Sequence, residues 1–331
     1  MTLSHRERME SCLAGETPDR PPVALWRHFP VDDQAPGSLA AATVNFQQVY
    51  DFDFVKITPA SSFCLKDWGV QDAWRGNPEG TRAYTHRVIE NPEDWTRLQV
   101  LDPSKGFLSH QLEAIRLIVA ALDQDTPVIQ TIFSPLAQAK NLAGGERLLV
   151  HLRSAPDAVR IGLQIITESI QRFVEAAKPL GIAGIFYAVQ HARLELLSAE
   201  EYRQFGRPFD LSVLESVQDL WLNVLHLHGT DILFDDFTEY PVHVLNWHDQ
   251  ETPPSLAEAQ KRFDGVVCGG LRQWQTMVLG TADDVYREAR AAIEATQGRR
   301  FILGTGCVTP ITAPFGNLWA ARQAVEAEGN A

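Results

Sequence analysis

Close-spaced cysteine pairs are missing from this chain, whose four cysteines, Cys12, Cys64, Cys268 and Cys307, are scattered. That excludes a disulfide framework and a closed structural zinc site, both of which need clustered thiols, and it points to a reducing compartment. Long apolar runs are missing too, with nothing near the ~18 residues that span a bilayer. The opening MTLSHRERMESC is polar where a secretory leader has an apolar core. The expectation is a cytoplasmic protein with no membrane partner. Basic charge is scarce: 29 Lys and Arg against 42 Asp and Glu leave a net charge of -13. Nucleic-acid binders carry clustered cations, so no nucleic-acid partner is expected. No Gly-rich dinucleotide turn follows the first apolar run, which argues against an open doubly wound sheet.

What is present is an alternation. Short apolar runs rich in β-branched residues recur at 22–26, 52–58, 127–133, 183–189, 223–229, 242–248, 265–271 and 300–306. Segments of helical periodicity lie between most of them, as at 155–177 and 281–298. Strand and helix in alternation imply parallel pairing, and eight such units closing on themselves give a single-domain TIM (β/α)8 barrel over residues 1–331. The long gap between the second and third runs holds a polar, alternating stretch with an Asn-Pro/Gly break at 67–91, read as a β-hairpin insertion serving as a lid or a dimer surface.

In such a barrel the chemistry collects at the C-terminal strand ends. His226 and His228, in LNVLHLHG, stand two apart on a strand and therefore point to one side. Cys307, in ILGTGCVTP, follows the last strand. Two imidazoles and one thiolate make a three-ligand zinc set with a fourth position open, the form a catalytic metal takes. His226 taken alone reads more readily as a hydrogen-bonded core residue than as a ligand. Asn246 and His248 form a second pair two apart, suited to orienting the site or handling protons. Arg27 directly follows the first strand and suits a carboxylate or phosphate, or a plain ion pair. Lys56 sits on the second strand, where its stem would also serve simply to reach solvent. His28, Tyr187 and Gln190 complete the polar strand ends as substrate contacts, while Cys268 reads as a small buried hydrophobe.

These segments carry a resemblance. RERMESCLAGETPDRPPVALWRHFP (6–30) resembles the first motif of the uroporphyrinogen decarboxylase superfamily, and LGTGCVTPITAPFGN (303–317) resembles its last-strand motif. True decarboxylases of that superfamily carry two arginines after the first strand and an aspartate near the end of the second. Here only Arg27 follows the first strand, and Lys56 stands where the aspartate belongs; a cation cannot accept pyrrole N–H bonds. The zinc-dependent methyltransferase branch binds its metal through H-x-C on the fifth strand and a cysteine after the eighth. His226 and Cys307 fall on those positions, with His228 in place of the first cysteine. The resemblance implies a zinc-dependent methyl or alkyl transferase with a thiol acceptor. Zinc would lie on His226, His228 and Cys307, with Arg27, Lys56 and His248 as catalytic groups. A methyl-corrinoid is the implied donor. No D-x-H-x-x-G corrinoid motif is present, so a cobalamin would arrive on a partner corrinoid protein or free. A homodimer is a further implication of the family. A decarboxylase of uroporphyrinogen or another carboxylate, and a non-catalytic tetrapyrrole or corrinoid binder, are the alternatives.

Overall fold

A computed structural model describes residues 2–326. Its helices begin where the sequence places caps. Ser4 caps His5–Leu13 and Thr281 caps Ala282–Thr296, each in a reciprocal box with the acidic residue three positions on. Pro156–Ala177 buries Val159, Leu163, Ile166, Ile170 and Phe173, the one-sided spacing of a helix lying on a sheet.

Seven strands form one parallel sheet: β1 (Val55–Ile57), β4 (Val128–Phe133), β5 (Gly184–Val189), β6 (Val224–Leu227), β7 (Val244–Trp247), β8 (Val266–Leu271) and β9 (Phe301–Thr305), hydrogen-bonded in that order. All are buried along their length, as strands covered on both faces must be. The eighth place belongs to residues 22–26, which pair with both edges. The Leu303 amide donates to the Pro22 carbonyl and the Ala24 amide to the Leu303 carbonyl, at 2.8 and 3.0 Å. On the other side the Asp53 amide donates to the Val23 carbonyl at 2.9 Å. The ring is thus the TIM-like barrel expected, with one departure: residues 22–26 make a single bridge instead of a regular strand. Pro21 and Pro22 have no N–H to give, and the Val23 amide donates to the Asp53 carboxylate at 2.8 Å instead of to a neighbouring strand.

Asp53 anchors this N-terminal end. It is fully buried and accepts hydrogen bonds from Arg8, Arg20, His5 and Val23. Asp19 and the Leu3 carbonyl take the rest of the Arg8 guanidinium. The Asp-Arg-Pro-Pro-Val stretch is therefore the barrel's brace.

The insertion is a hairpin as expected, β2 (Gln71–Ala73) antiparallel to β3 (Ala83–His86). Arg82 donates to Asp72 across it at 2.7 Å. Gly80 takes a left-handed φ of 84°, and a Cβ there would lie 2.5 Å from that of His28. The hairpin thus sits against the residue that follows the first barrel segment, over the C-terminal strand ends. No helix among the described residues is long and apolar enough to cross a membrane.

Candidate metal centre

β6 directs His226 into the barrel, where it lies beside its register partner Asn246 of β7. The Asn246 amide nitrogen donates to the carbonyls of Cys268 and Thr305, both at 3.0 Å. Its Oδ1 therefore faces His226 as an acceptor, 2.7 Å from Nδ1. That bond puts the imidazole proton on Nδ1 and leaves Nε2 with a bare lone pair. His226 Nε2 is buried with no hydrogen-bond partner, and so is Nε2 of His248, just beyond β7. His248 Nδ1 lies 3.5 Å from the Glu251 carboxylate. Cys307 Sγ lies 3.7 Å from His228 Nδ1. Gly306 allows this approach, since a Cβ there would come within 2.6 Å of the His248 Cα.

One ligand atom from each of His226, His228, His248 and Cys307 lies within 4.8 Å of all the others. The expected trio is therefore assembled, and His248 joins it. Burial drives the His226 imidazole well below its usual range and His228 to about 3, so both rings are neutral, the form that ligates. Burial pushes the Cys307 thiol up to about 12, a cost that an adjacent dication reverses. Buried nitrogens without partners cost roughly 1–3 kcal/mol each. Two of them beside a third imidazole and a thiol make a donor set that fits zinc in softness and number.

A cavity of about 310 Å³ adjoins this cluster, lined on that side by His226, His228 and Cys307. Trp26, His28, Lys56 and Phe186 form its inner wall; Arg82, Tyr84 and Arg87 come from the hairpin, and Lys140, Asn141 and Gln190 from beyond β4 and β5. Burial pulls Lys56 down to about 7. Its ammonium stands 3.1 Å from Thr58 Oγ1 and 4.5 Å from the Phe186 ring centre. Lys140, lowered to about 8 chiefly by burial, donates to Gln190 Oε1 at 3.1 Å. Arg87 donates to the carbonyls of Lys140 and Asn141. Three cations thus line the cavity on neutral partners, which suits an anionic guest.

Five of the sequence-predicted residues lie together in space: Lys56, His28 and Gln190 at the cavity, His248 in the histidine–cysteine cluster, and Asn246 behind His226. Two do not gather there. Tyr187 points from β5 to the opposite face, where its hydroxyl donates to buried Asp210 at 2.7 Å. Arg27 also turns outward, its guanidinium 5.6 Å from the Phe29 ring centre. Both are out of phase with their cavity-lining neighbours, Phe186 and Ala188 for one, Trp26 and His28 for the other. Arg82, Tyr84, Arg87, Lys140 and Asn141 were not anticipated from sequence. They belong to the insertion and to the last turn of the helix Pro135–Ala143, where no strand periodicity marks the inward face.

The chain belongs to the uroporphyrinogen decarboxylase (URO-D) family, whose profile matches residues 4–328. It is 21% identical over 236 residues to a methylcobamide:CoM methyltransferase of Methanosarcina acetivorans, a match covering 70% of this chain and 67% of that protein. It is 25% identical to a methylated-thiol:coenzyme M methyltransferase of Methanosarcina mazei, covering 78% and 66%. A uroporphyrinogen decarboxylase of Sorangium cellulosum is 27% identical, covering 70% and 68%. Among solved structures, a methyltransferase from Methanosarcina mazei superposes with a TM-score of 0.85 at 19% identity, over 97% of this chain and 98% of that one, a likeness of fold.

Proposed function

We propose that this chain is a zinc-dependent methyltransferase that moves a methyl group from a corrinoid donor to a small thiol. Relatives that are methyltransferases support an enzyme of that kind and a corrinoid as donor. The observation that carries the reading is the cluster of four donor atoms, two of them buried and partnerless, at the edge of a cavity of small-molecule size. Zinc there would hold the acceptor sulfur as thiolate at neutral pH, where a free thiol of pKa ~8.5 is mostly protonated. His226, His228 and Cys307 are its holders, and Asn246 keeps the His226 tautomer fit for the task. His228 in place of the branch's cysteine leaves the set one unit more positive, which favours a bound thiolate. Lys56, Lys140 and Arg87 receive an anionic group of the acceptor. The sulfur lone pair would then form the S–C bond as the methyl carbon leaves its donor, which would keep the electron pair of the broken bond, and the thiol proton would pass to solvent. With no corrinoid motif in the chain, the donor comes free or on a partner protein.

The test is metal analysis of purified protein, joined to methyl transfer from methylcobalamin to a panel of thiols. About one zinc per chain, lost with activity in Cys307→Ala, is the expected result. A metal-free and fully active protein would overturn it. The cationic wall also favours a second reading, decarboxylation of a carboxylate substrate. That reading predicts carbon dioxide release undiminished by chelation.

A further inference from the structure

The cavity beside the cluster holds charges of both signs that do not meet. Lys56, Lys140 and Arg87 rest on neutral partners, and Arg82 is taken by Asp72 and Asp33. Among the described residues that line the cavity, Glu79 alone carries a carboxylate. It stands in the hairpin connection and pairs with none of these cations. Its carboxylate accepts one long bond, from Gln273 Nε2 at 3.4 Å. The shorter bond of that amide, 2.6 Å, goes to the Val308 carbonyl, one residue beyond Cys307. Gly80, next along, abuts His28, a buried lining residue whose Nδ1 has no hydrogen-bond partner.

The two signs also stand on opposite walls. Glu79 hangs beside the residues that follow β9, whereas Lys140 reaches Gln190, just past β5. With residues 22–26 closing the ring between β9 and β1, β5 and β9 face each other across the barrel. Opposite charges present only to neutralise each other would pair, because a buried ion without a partner is costly. An acceptor that is merely anionic satisfies the cations and leaves Glu79 facing it with the wrong sign.

We propose that the acceptor is a zwitterion, an amino-acid thiol whose carboxylate is received by Lys140 and Arg87 and whose ammonium is received by Glu79. The proposal rests on the metal and thiol reading above and narrows its acceptor. An ammonium has three N–H donors and no acceptor. The Glu79 oxygens meet them on one side, and His28 Nδ1, with the ring proton on Nε2, is a neutral acceptor beside them. Such a guest meets both walls at once, which fixes its carbon chain between them and its sulfur toward His228 and Cys307.

Calorimetric titration of the full-length zinc-loaded protein tests this with L-homocysteine, with 4-mercaptobutanoate, which lacks the ammonium, and with 3-mercaptopropylamine, which lacks the carboxylate. L-Homocysteine is expected to bind about tenfold or more tightly than either, as loss of one hydrogen bond to a charged group implies. Glu79→Gln should shrink its lead over 4-mercaptobutanoate to within about twofold, and Lys140→Met should cut its lead over 3-mercaptopropylamine. Circular dichroism checks that each variant is folded. Equal affinity of the wild-type protein for L-homocysteine and 4-mercaptobutanoate would overturn the proposal, and so would a lead that Glu79→Gln leaves intact. A chain that takes up no zinc, or that binds none of the three thiols, would instead overturn the metal and thiol reading itself, and the proposal with it.

Discussion

At the N-terminal end of the barrel, Asp53 is fully buried and every one of its bonds is met by Arg8, Arg20, His5 or the Val23 amide. At the C-terminal end, His226 and His248 are drawn together with a thiol, and each keeps a buried nitrogen with nothing to bond. Both are dense polar clusters in the same scaffold. The first is complete in itself and holds the chain's first barrel segment in place. The second leaves two buried nitrogens unbonded, which is what supports the metal site proposed above. A satisfied cluster reads as structure and an orphaned one as a site, because folding alone gives no return for the cost of a partnerless buried nitrogen.

Substitutions should separate the two. Asp53→Asn leaves Arg8 and Arg20 buried beside an amide and should lower stability by about 3–5 kcal/mol in urea melts. Zinc affinity of the folded fraction should be unchanged; a wild-type midpoint would break the distinction. Cys307→Ala should do the reverse, lowering zinc affinity more than ~100-fold, beyond what loss of an outer partner usually costs. The metal-free stability should stay within about 1 kcal/mol of wild type, since Cys307 already borders the cavity and its removal opens little new space. Asn246→Ala frees the His226 tautomer and should weaken zinc by about 10–100-fold, with Asn246→Asp, which keeps the acceptor oxygen, recovering part of it. A competitive chelator titration reads both.

The smallest effect is one of pH. The cations around Asp53 outweigh its burial and hold its carboxyl well below the usual range. A depressed carboxylate stabilises above its unfolded pKa, ~3.9, and that contribution fades as pH falls toward the folded value. His5 is raised by Asp53 and Asp51 against the opposing effect of burial. Its contribution is full below the unfolded pKa of ~6.5 and is lost as pH rises through the folded one. The stabilisation this cluster contributes, read as the melting difference between wild type and Asp53→Asn, should therefore be greatest between about pH 4 and 6.5 and shrink on both sides.

The barrel was legible because its strands are buried, β-branched and evenly spaced among helices. Residues 22–26 were legible as a strand in place though not in bonding, since Pro21, Pro22 and the Asp53 carboxylate redirect their amides. The histidine pair was legible from its period of two, and Cys307 from its place after the last strand. Tyr187 and Arg27 show the limit of listing strand ends without phase: the residues flanking each face the cavity, and these two face the helices. The same rule applied residue by residue would have turned both outward. Lys140, Arg82 and Arg87 obey no such rule. Their direction is set by how a helix end and the hairpin pack on the barrel, which only the assembled chain specifies. His248 lies between these cases, visible as a polar strand end while its membership of the cluster depends on a turn.

The hairpin resting on His28 also bears on the order of events. With a roof against the first barrel segment and about 310 Å³ beneath it, the cavity engulfs a small guest but not a macrocycle of corrinoid size. On the reaction proposed above, a corrinoid donor would work from the rim and, once there, would bar the doorway. The small guest would then be seated first and, after reaction, would wait for its larger companion to step aside. Steady-state kinetics should accordingly show a compulsory order with the small substrate leading.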